Sequence, residues 1–232
     1  MMRIAIVLRV LLPQAAPRFA IEETRHLRKL GHDSKLFICR ESKYSFNYAE
    51  LMEGLDNIKF ITKGKLSRLS ELLNLWTLFF YPKGARGKES VIDVSALTYL
   101  SFKLRKKSYD VVLCHDQFAG LSGYLASKIH GTPYVVYTYD PVKSGHLLGV
   151  PYEKLPLKSK LAHKVAYWYE KHVLGKASQI ATISKKTCET VKKTLPDFNG
   201  EIKVVYPACY PAVNPNLKRG DYVLALSRWD RG

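Results

Sequence analysis

Short apolar runs alternate along this chain with longer segments in which apolar residues recur every three or four positions. Runs of the first kind fall at 4–8, 34–39, 111–114, 134–138, 179–183 and 203–206. Each is brief, mostly β-branched or aromatic, and bounded by polar residues or Pro, as strands buried on both faces are. Between them lie helical patterns. Phe118, Leu121, Leu125 and Ile129 recur at spacings of three and four and predict a helix with these residues on one apolar stripe; Gly131 followed by Pro133 predicts its end. Pro17 suits the first turn of a helix carrying Ile21, Leu27 and Leu30, and Ser184 suits the cap of one carrying Cys188, Val191 and Leu195. Strand alternating with helix predicts an α/β fold, a parallel sheet with helices on both faces.

After Pro211 the pattern changes to Ala-Val-Asn-Pro-Asn-Leu-Lys-Arg-Gly-Asp, the punctuation of a hinge, and residues 222–226 read as one further strand. A lone strand cannot bury a core. The expected organisation is therefore a large domain over residues 1–211, a linker over 212–220, and over 221–232 the first strand of a second domain cut short at Gly232.

Composition adds a partner class. A hydrophobic content of 47% is that of a globular protein rather than a disordered one. The 37 Lys and Arg against 20 Asp and Glu give a net charge of +17, which predicts attraction to polyanions or an anionic membrane unless an acidic second half offsets it. Cys39, Cys114, Cys188 and Cys209 show neither metal-ligand spacing nor a disulfide framework and read as buried thiols in a reducing compartment. The apolar start resembles a signal peptide only as far as Arg9, and a helix follows at once. The longest apolar stretch, residues 72–81, is interrupted by Asn74 and Thr77 and is too short to span a bilayer.

Several segments together resemble glycosyltransferase family 4, whose members carry two Rossmann-like domains facing across a cleft. They are Gln14-Ala15-Ala16-Pro17-Arg18 with the helix leading to Leu30-Gly31-His32-Asp33; Tyr109 to Asp116, a strand ending in His115; Thr132 to Pro141; Ala177 to Ser184; Glu201 to Pro207; and Tyr222 to Trp229. The resemblance covers nearly the whole chain. It implies a Rossmann-like parallel sheet with helices on both faces, forming the amino-terminal, acceptor-side half of a GT-B fold. The implied reaction is transfer of a sugar from a nucleotide-sugar donor to an acceptor hydroxyl with retention at the anomeric carbon. Positioning and stabilisation of the diphosphate charge would carry most of that chemistry.

The residues carried over by the motif are few. His115 would sit at the carboxyl edge of the sheet, where open α/β sheets bind ligands. Tyr139-Asp140 stands where the family usually has His-Asp in the acceptor pocket; a phenol with a reference pKa of ~10 can position a hydroxyl but is a poor base near neutrality. Asp140 keeps the family identity and could orient the acceptor hydroxyl or cap the turn before Pro141. Gln14 and Ala15 are the candidate donor-diphosphate-binding positions of the opening loop; they replace two glycines that let backbone amides approach phosphate, and Ala is the smallest side-chain substitute. Arg228 matches the arginine that pairs with the donor diphosphate. Residues beyond Gly232 would complete the donor site, so the isolated chain is expected not to turn over sugar. The resemblance implies no metal and no cofactor other than the nucleotide-sugar substrate.

The acceptor implied is a glycan or a lipid-linked precursor of a surface polysaccharide. Leu66, Leu69, Leu73, Trp76 and Phe80 form one stripe with Lys63, Lys65, Arg68, Lys83, Arg86 and Lys88 around it, as suits shallow insertion into an anionic membrane or, equally, core packing. Lys65, Arg68, Trp76 and Phe80 are the candidate membrane and acceptor surface. A second segment sets Leu157, Leu161, Val165, Trp168 and His172 on one side, with Lys158, Lys160, Lys164 and Lys171 around them. The expected location is the cytoplasm, peripheral at the inner face of the cell membrane. Two rivals stand beside this reading: an inactive or sugar-nucleotide-epimerase-like relative, and a polyanion or nucleic-acid-binding module, which no recognised binding motif supports.

Overall fold

A computed structural model describes residues 1–11, 15–41, 52–62, 91–139, 141 and 157–207. Among these residues seven strands form one sheet: β1 (Arg3–Leu11), β2 (Asp33–Glu41), β3 (Ile58–Thr62), β4 (Val111–His115), β5 (Tyr134–Thr138), β6 (Gln179–Thr182) and β7 (Glu201–Val204). Five helices accompany them: α1 (Ala15–Lys29), α2 (Val91–Ser101), α3 (Gly120–His130), α4 (Leu157–Leu174) and α5 (Lys185–Thr194). The strand order is β3-β2-β1-β4-β5-β6-β7, and every neighbouring pair is parallel. The chain therefore runs outward from β1 twice, first toward β3 and then toward β7.

Side chains alternate between the faces of a strand, and this alternation divides the core in two. Ile4, Ile6, Leu8, Leu36 and Ile38 point to one face and meet Ala20 and Ile21 of α1. Ala5, Val7, Phe37, Cys39, Val112, Cys114 and Val136 point to the other and meet Leu97 and Leu100 of α2, Ala126 of α3, Val173 and Leu174 of α4, and Val191 of α5. Helices thus lie on both faces, as the pattern predicts. β1 runs through Arg9, because that side chain reaches carboxylates instead of facing the core: its Nη1 lies 3.8 Å from Asp93 and its Nε 3.6 Å from Asp116.

Three expectations need correction. β3 was not anticipated; Ile58-Lys59-Phe60-Ile61-Thr62 is a half-buried edge strand without a long apolar run. Leu30 lies past the end of α1 and is exposed, although Leu27 packs as expected. The stripe proposed for α3 is not its buried face. Ile129 is 46% exposed, while Gly120, Ser122, Gly123 and Ala126 are buried. Small residues win because α3 lies very close to the sheet: a Cβ on Gly123 would stand 2.8 Å from Tyr134 Cβ and 2.9 Å from Cys114 Sγ. The signals at the helix ends hold. Gly131 adopts φ 67° at the end of α3, and the Ser184 hydroxyl accepts from the Thr187 amide at 3.1 Å.

A second, fully buried ion pair joins α2 to the sheet. Arg40 donates through Nε to Asp93 Oδ1 at 2.7 Å and through Nη2 to Oδ2 at 3.1 Å, with the two side chains 2% and 1% exposed. Cys39, Cys114 and Cys188 are free and buried, and burial pushes the Cys114 thiol up to about 12.

Gly123 offers the sharpest test of this packing. Ala in place of Gly favours a helix by up to ~1 kcal/mol, whereas forcing a methyl into a filled contact costs roughly 1–3 kcal/mol. With Tyr134 Cβ and Cys114 Sγ 2.8 and 2.9 Å from the added methyl, the packing cost falls at the upper end, and Gly123→Ala is expected to lower the unfolding free energy by about 2 kcal/mol in urea titration. A variant as stable as the parent would mean that α3 does not approach Tyr134 so closely.

Candidate functional site

The carboxyl ends of β1, β4 and β5 lie side by side, with Leu8 in register with His115 and His115 with Tyr137. The two-residue period then sets His115, Tyr137 and Tyr139 on the face that α1 covers. On α1, Phe19 and Glu23 are four residues apart and so share a helical face. Topology and period together bring five side chains to one edge of the sheet.

His115 is the centre of the group and is fully buried. Its Nδ1 lies 2.7 Å from the Tyr139 hydroxyl, and its Nε2 lies 2.7 Å from Glu23 Oε2. Phe19 meets the imidazole edge-on with centroids 5.5 Å apart, and Tyr137 stacks on it at 5.8 Å with the planes 25° apart. Tyr137 in turn packs 4.9 Å from both Phe19 and Tyr139, and its hydroxyl donates to the Val205 carbonyl.

Donor and acceptor inventory assigns the protons. An ionised carboxylate only accepts, so a neutral imidazole donates Nε2–H to Glu23 and leaves Nδ1 to accept from the Tyr139 hydroxyl. That arrangement satisfies both ring nitrogens and leaves the lone pairs of the Tyr139 oxygen to accept from an incoming hydroxyl. Burial, with Tyr137, Glu23 and Asp116 nearby, raises the Tyr139 pKa far above that of a free phenol. Tyr139 therefore remains a neutral hydroxyl at working pH and can orient a reactant without deprotonating it.

Asp116 follows directly. Its backbone has φ 92°, a left-handed conformation that residues other than Gly seldom adopt and that clusters at functional sites. The conformation is held by bonds on both sides: its amide donates to the Tyr137 carbonyl at 3.0 Å, and its Oδ1 accepts from the Ala119 amide at 2.6 Å at the start of α3. Burial raises its pKa while the Arg9 guanidinium opposes the shift. Arg9 also lies 5.4 Å over the Phe118 ring, so a cation, a carboxylate and a phenolic hydroxyl line the same edge.

Of the residues singled out from sequence, His115 and Tyr139 are in direct contact. Ala15 opens α1 at this same carboxyl edge. Asp140, Gln14 and Arg228 lie outside the described residues, as do Lys65, Arg68, Trp76 and Phe80 and the proposed linker and second-domain strand. Glu23, Phe19, Tyr137, Arg9 and Asp116 were not anticipated as site residues. The signal available for them was the i, i+4 pair on α1 and the alternation through Tyr137 and Tyr139.

A family model described as Glycosyltransferase Family 4 matches residues 16–212, well over half of the sequence. The chain belongs to glycosyltransferase family 4. A stretch of 93 residues is 32% identical to the UDP-Gal:alpha-D-GlcNAc-diphosphoundecaprenol alpha-1,3-galactosyltransferase of Escherichia coli, covering 40% of this family 4 chain and 21% of that enzyme. Among solved structures, Anabaena HepE in complex with UDP and glucose superposes with a TM-score of 0.55 at 15% identity, over 90% of this chain and 45% of its own. Sucrose-phosphate synthase from Thermosynechococcus elongatus gives 0.56 at 9% identity, over 89% and 48%. UGT2 of Phytolacca americana, complexed with UDP-2fluoro-glucose and pterostilbene, gives 0.58 at 11% identity, over 91% and 54%. At such identities the likeness shows the fold: a Rossmann-like α/β sheet of the GT-B kind. This family 4 chain spans about half the length of the solved proteins it matches.

Glu23 is the member of the cluster whose removal is most informative. Glu23→Ala leaves the Nε2–H of a buried imidazole without its acceptor and is expected to cost about 1–3 kcal/mol. Glu23→Gln keeps a carbonyl acceptor and should recover most of that loss. Equal stability of the parent and both variants in denaturant titration would remove Glu23 from the cluster.

Proposed function

We propose that this chain is the acceptor-side part of a retaining glycosyltransferase that moves a sugar from a nucleotide-sugar donor to a hydroxyl of a glycan or lipid-linked acceptor, such as a surface polysaccharide precursor. The observation that carries the reading is the Tyr139 hydroxyl held by His115, itself held by Glu23, at the carboxyl edge of the sheet. This edge is where open α/β sheets take their ligands. The Escherichia coli relative, named for a diphosphoundecaprenol-linked acceptor, supports a lipid-linked substrate.

In this reading Tyr139 accepts a hydrogen bond from the acceptor hydroxyl and Asp140 fixes its orientation. Arg228 pairs with the donor diphosphate, and the backbone around Gln14 and Ala15 flanks it. The chain supplies geometry and charge: the bond from the anomeric carbon to the acceptor oxygen forms as the bond to the nucleoside diphosphate breaks, and the hydroxyl proton passes to the departing diphosphate, since the raised pKa of Tyr139 keeps it protonated and unable to take a proton. No metal or further cofactor is assigned, as the family resemblance implies. The location proposed is cytoplasmic, at the inner face of the cell membrane.

The test is product formation by the full-length protein, given a panel of UDP-sugars and a diphosphoundecaprenol-linked sugar, read by mass spectrometry. The expected product is the acceptor heavier by one sugar residue. Tyr139→Phe should lower kcat/KM by about tenfold or more through lost positioning. Because the Tyr139 pKa is raised, parent and variant should share the same pH profile up to about pH 10, the range in which a free phenol is still protonated. No product from any donor would favour an inactive or epimerase-like relative.

A further inference from the structure

We infer that the outer face of α4 is a docking surface for an anionic lipid bilayer. The inner face of this helix is already occupied, since Glu170, Val173 and Leu174 are at most 1% exposed. On the opposite side Leu157 is 84% exposed, Leu161 56%, Val165 39% and Trp168 66%. At 100° per residue these four fall within an arc of about 80°, along roughly 16 Å of helix. A stripe of large apolar side chains held in water at this cost marks a surface that meets something apolar.

Charge identifies the occupant. Lys160, Lys164 and Lys171 occupy helical positions along one border of the stripe, and Lys164 and Lys171 are exposed. Glu170, the one acidic residue in α4, is buried on the inner face, so the outer surface of the helix carries no negative charge. The chain as a whole has a net charge of +17. An apolar stripe bordered by lysines suits a surface whose interior is hydrocarbon and whose headgroups are anionic. A second copy of this chain fits poorly, because pairing the stripes would bring the same lysines together, and four side chains are far fewer than the roughly 20–30 residues a side of a stable interface.

The aromatic anchor is already ordered. Trp168 stacks on His172 with centroids 5.6 Å apart and planes 17° apart, and His172 Nε2 lies 3.0 Å from the Tyr124 hydroxyl. An indole fixed in this way enters the headgroup region with little further loss of rotamer freedom. In a βαβ unit the helix runs back against the strands, so the Leu157 end of α4 lies at the carboxyl edge of the sheet, the edge that carries Tyr139. Docking along α4 would bring that edge toward the lipid. The purpose of the surface rests on the lipid-linked reading of function; its existence does not.

The experiment is co-sedimentation of the full-length protein with phosphatidylcholine vesicles, pure or containing about 30% phosphatidylglycerol, at about 0.1 M salt. The parent should bind the anionic vesicles and leave the neutral ones. Leu161→Ser with Trp168→Ser, and separately Lys164→Glu with Lys171→Glu, should each lower partitioning by about tenfold or more. Their helical circular dichroism should be unchanged, since all four side chains face solvent. Lys192→Glu with Lys193→Glu on α5 makes the same charge change elsewhere and should bind within about threefold of the parent. Unchanged binding by the stripe variants overturns the proposal, as does an equal loss in the α5 control, which would mean diffuse charge attraction. So does a parent dimer, seen by light scattering without vesicles, that the stripe variants abolish. No sugar donor is needed, so an inactive transferase would leave this readout intact.

Discussion

The candidate site depends on the parallel pairing of β1 with β2 on one side and β4 on the other. Arg3–Leu11 has few polar interruptions because it lies in the middle of a sheet covered on both faces, and burying it fixes the register of its neighbours. Once Leu8 lies beside His115, and His115 beside Tyr137, the two-residue period leaves no choice about which side chains meet α1. A slip of one residue would send His115 to the opposite face, away from Glu23 and Tyr139. The buried pair of Arg40 and Asp93 fastens α2 to the same end of the sheet, and removing either partner would strip a buried charge of its two-point hydrogen bonding.

Much of this was legible in the sequence, for reasons that can be named. The central strands were, because burial on both faces writes a continuous apolar run; the strand at Tyr134–Thr138 begins and ends where the pattern places it. So were the ends of helices, where Ser184 and Gly131 perform tasks that few residues can perform. The face of α3 was not, because hydrophobic periodicity finds large residues and this interface is built of small ones. Leu121 still packs against the core from the side, but Gly123 and Ala126 sit against the sheet. β3 escaped because an edge strand half in water keeps a mixed pattern.

The candidate site was half legible. His115 and Tyr139 could be placed by motif, and Tyr139 could be judged a positioning group from the chemistry of a phenol, in line with the upward shift that its burial produces. Glu23 could not be found in this way, since its role comes from a contact between residues 92 apart in the sequence, and a Glu in the middle of an amphipathic helix looks like any solvated charge. The strain at Asp116 was equally hidden, because backbone angles are not written in residue identity when the residue is not Gly. Conversely, the outer stripe of α4 was visible in the sequence only as an ambiguity. Four apolar residues at helical spacing usually mean core, and their exposure is what turns the pattern toward a membrane.

On this account the sheet edge holds an acceptor hydroxyl by hydrogen bonding while Arg228 and the backbone around Gln14 and Ala15 meet the donor diphosphate. The most direct measurement is a crystal structure of the full-length protein with UDP and an acceptor analogue lacking a reactive hydroxyl proton donor elsewhere on its sugar ring. The account predicts the acceptor hydroxyl within about 3 Å of the Tyr139 oxygen, with the contacts from His115 to Tyr139 and Glu23 intact. An acceptor bound away from the carboxyl ends of β4 and β5, with Tyr139 making no contact to it, would contradict the central claim.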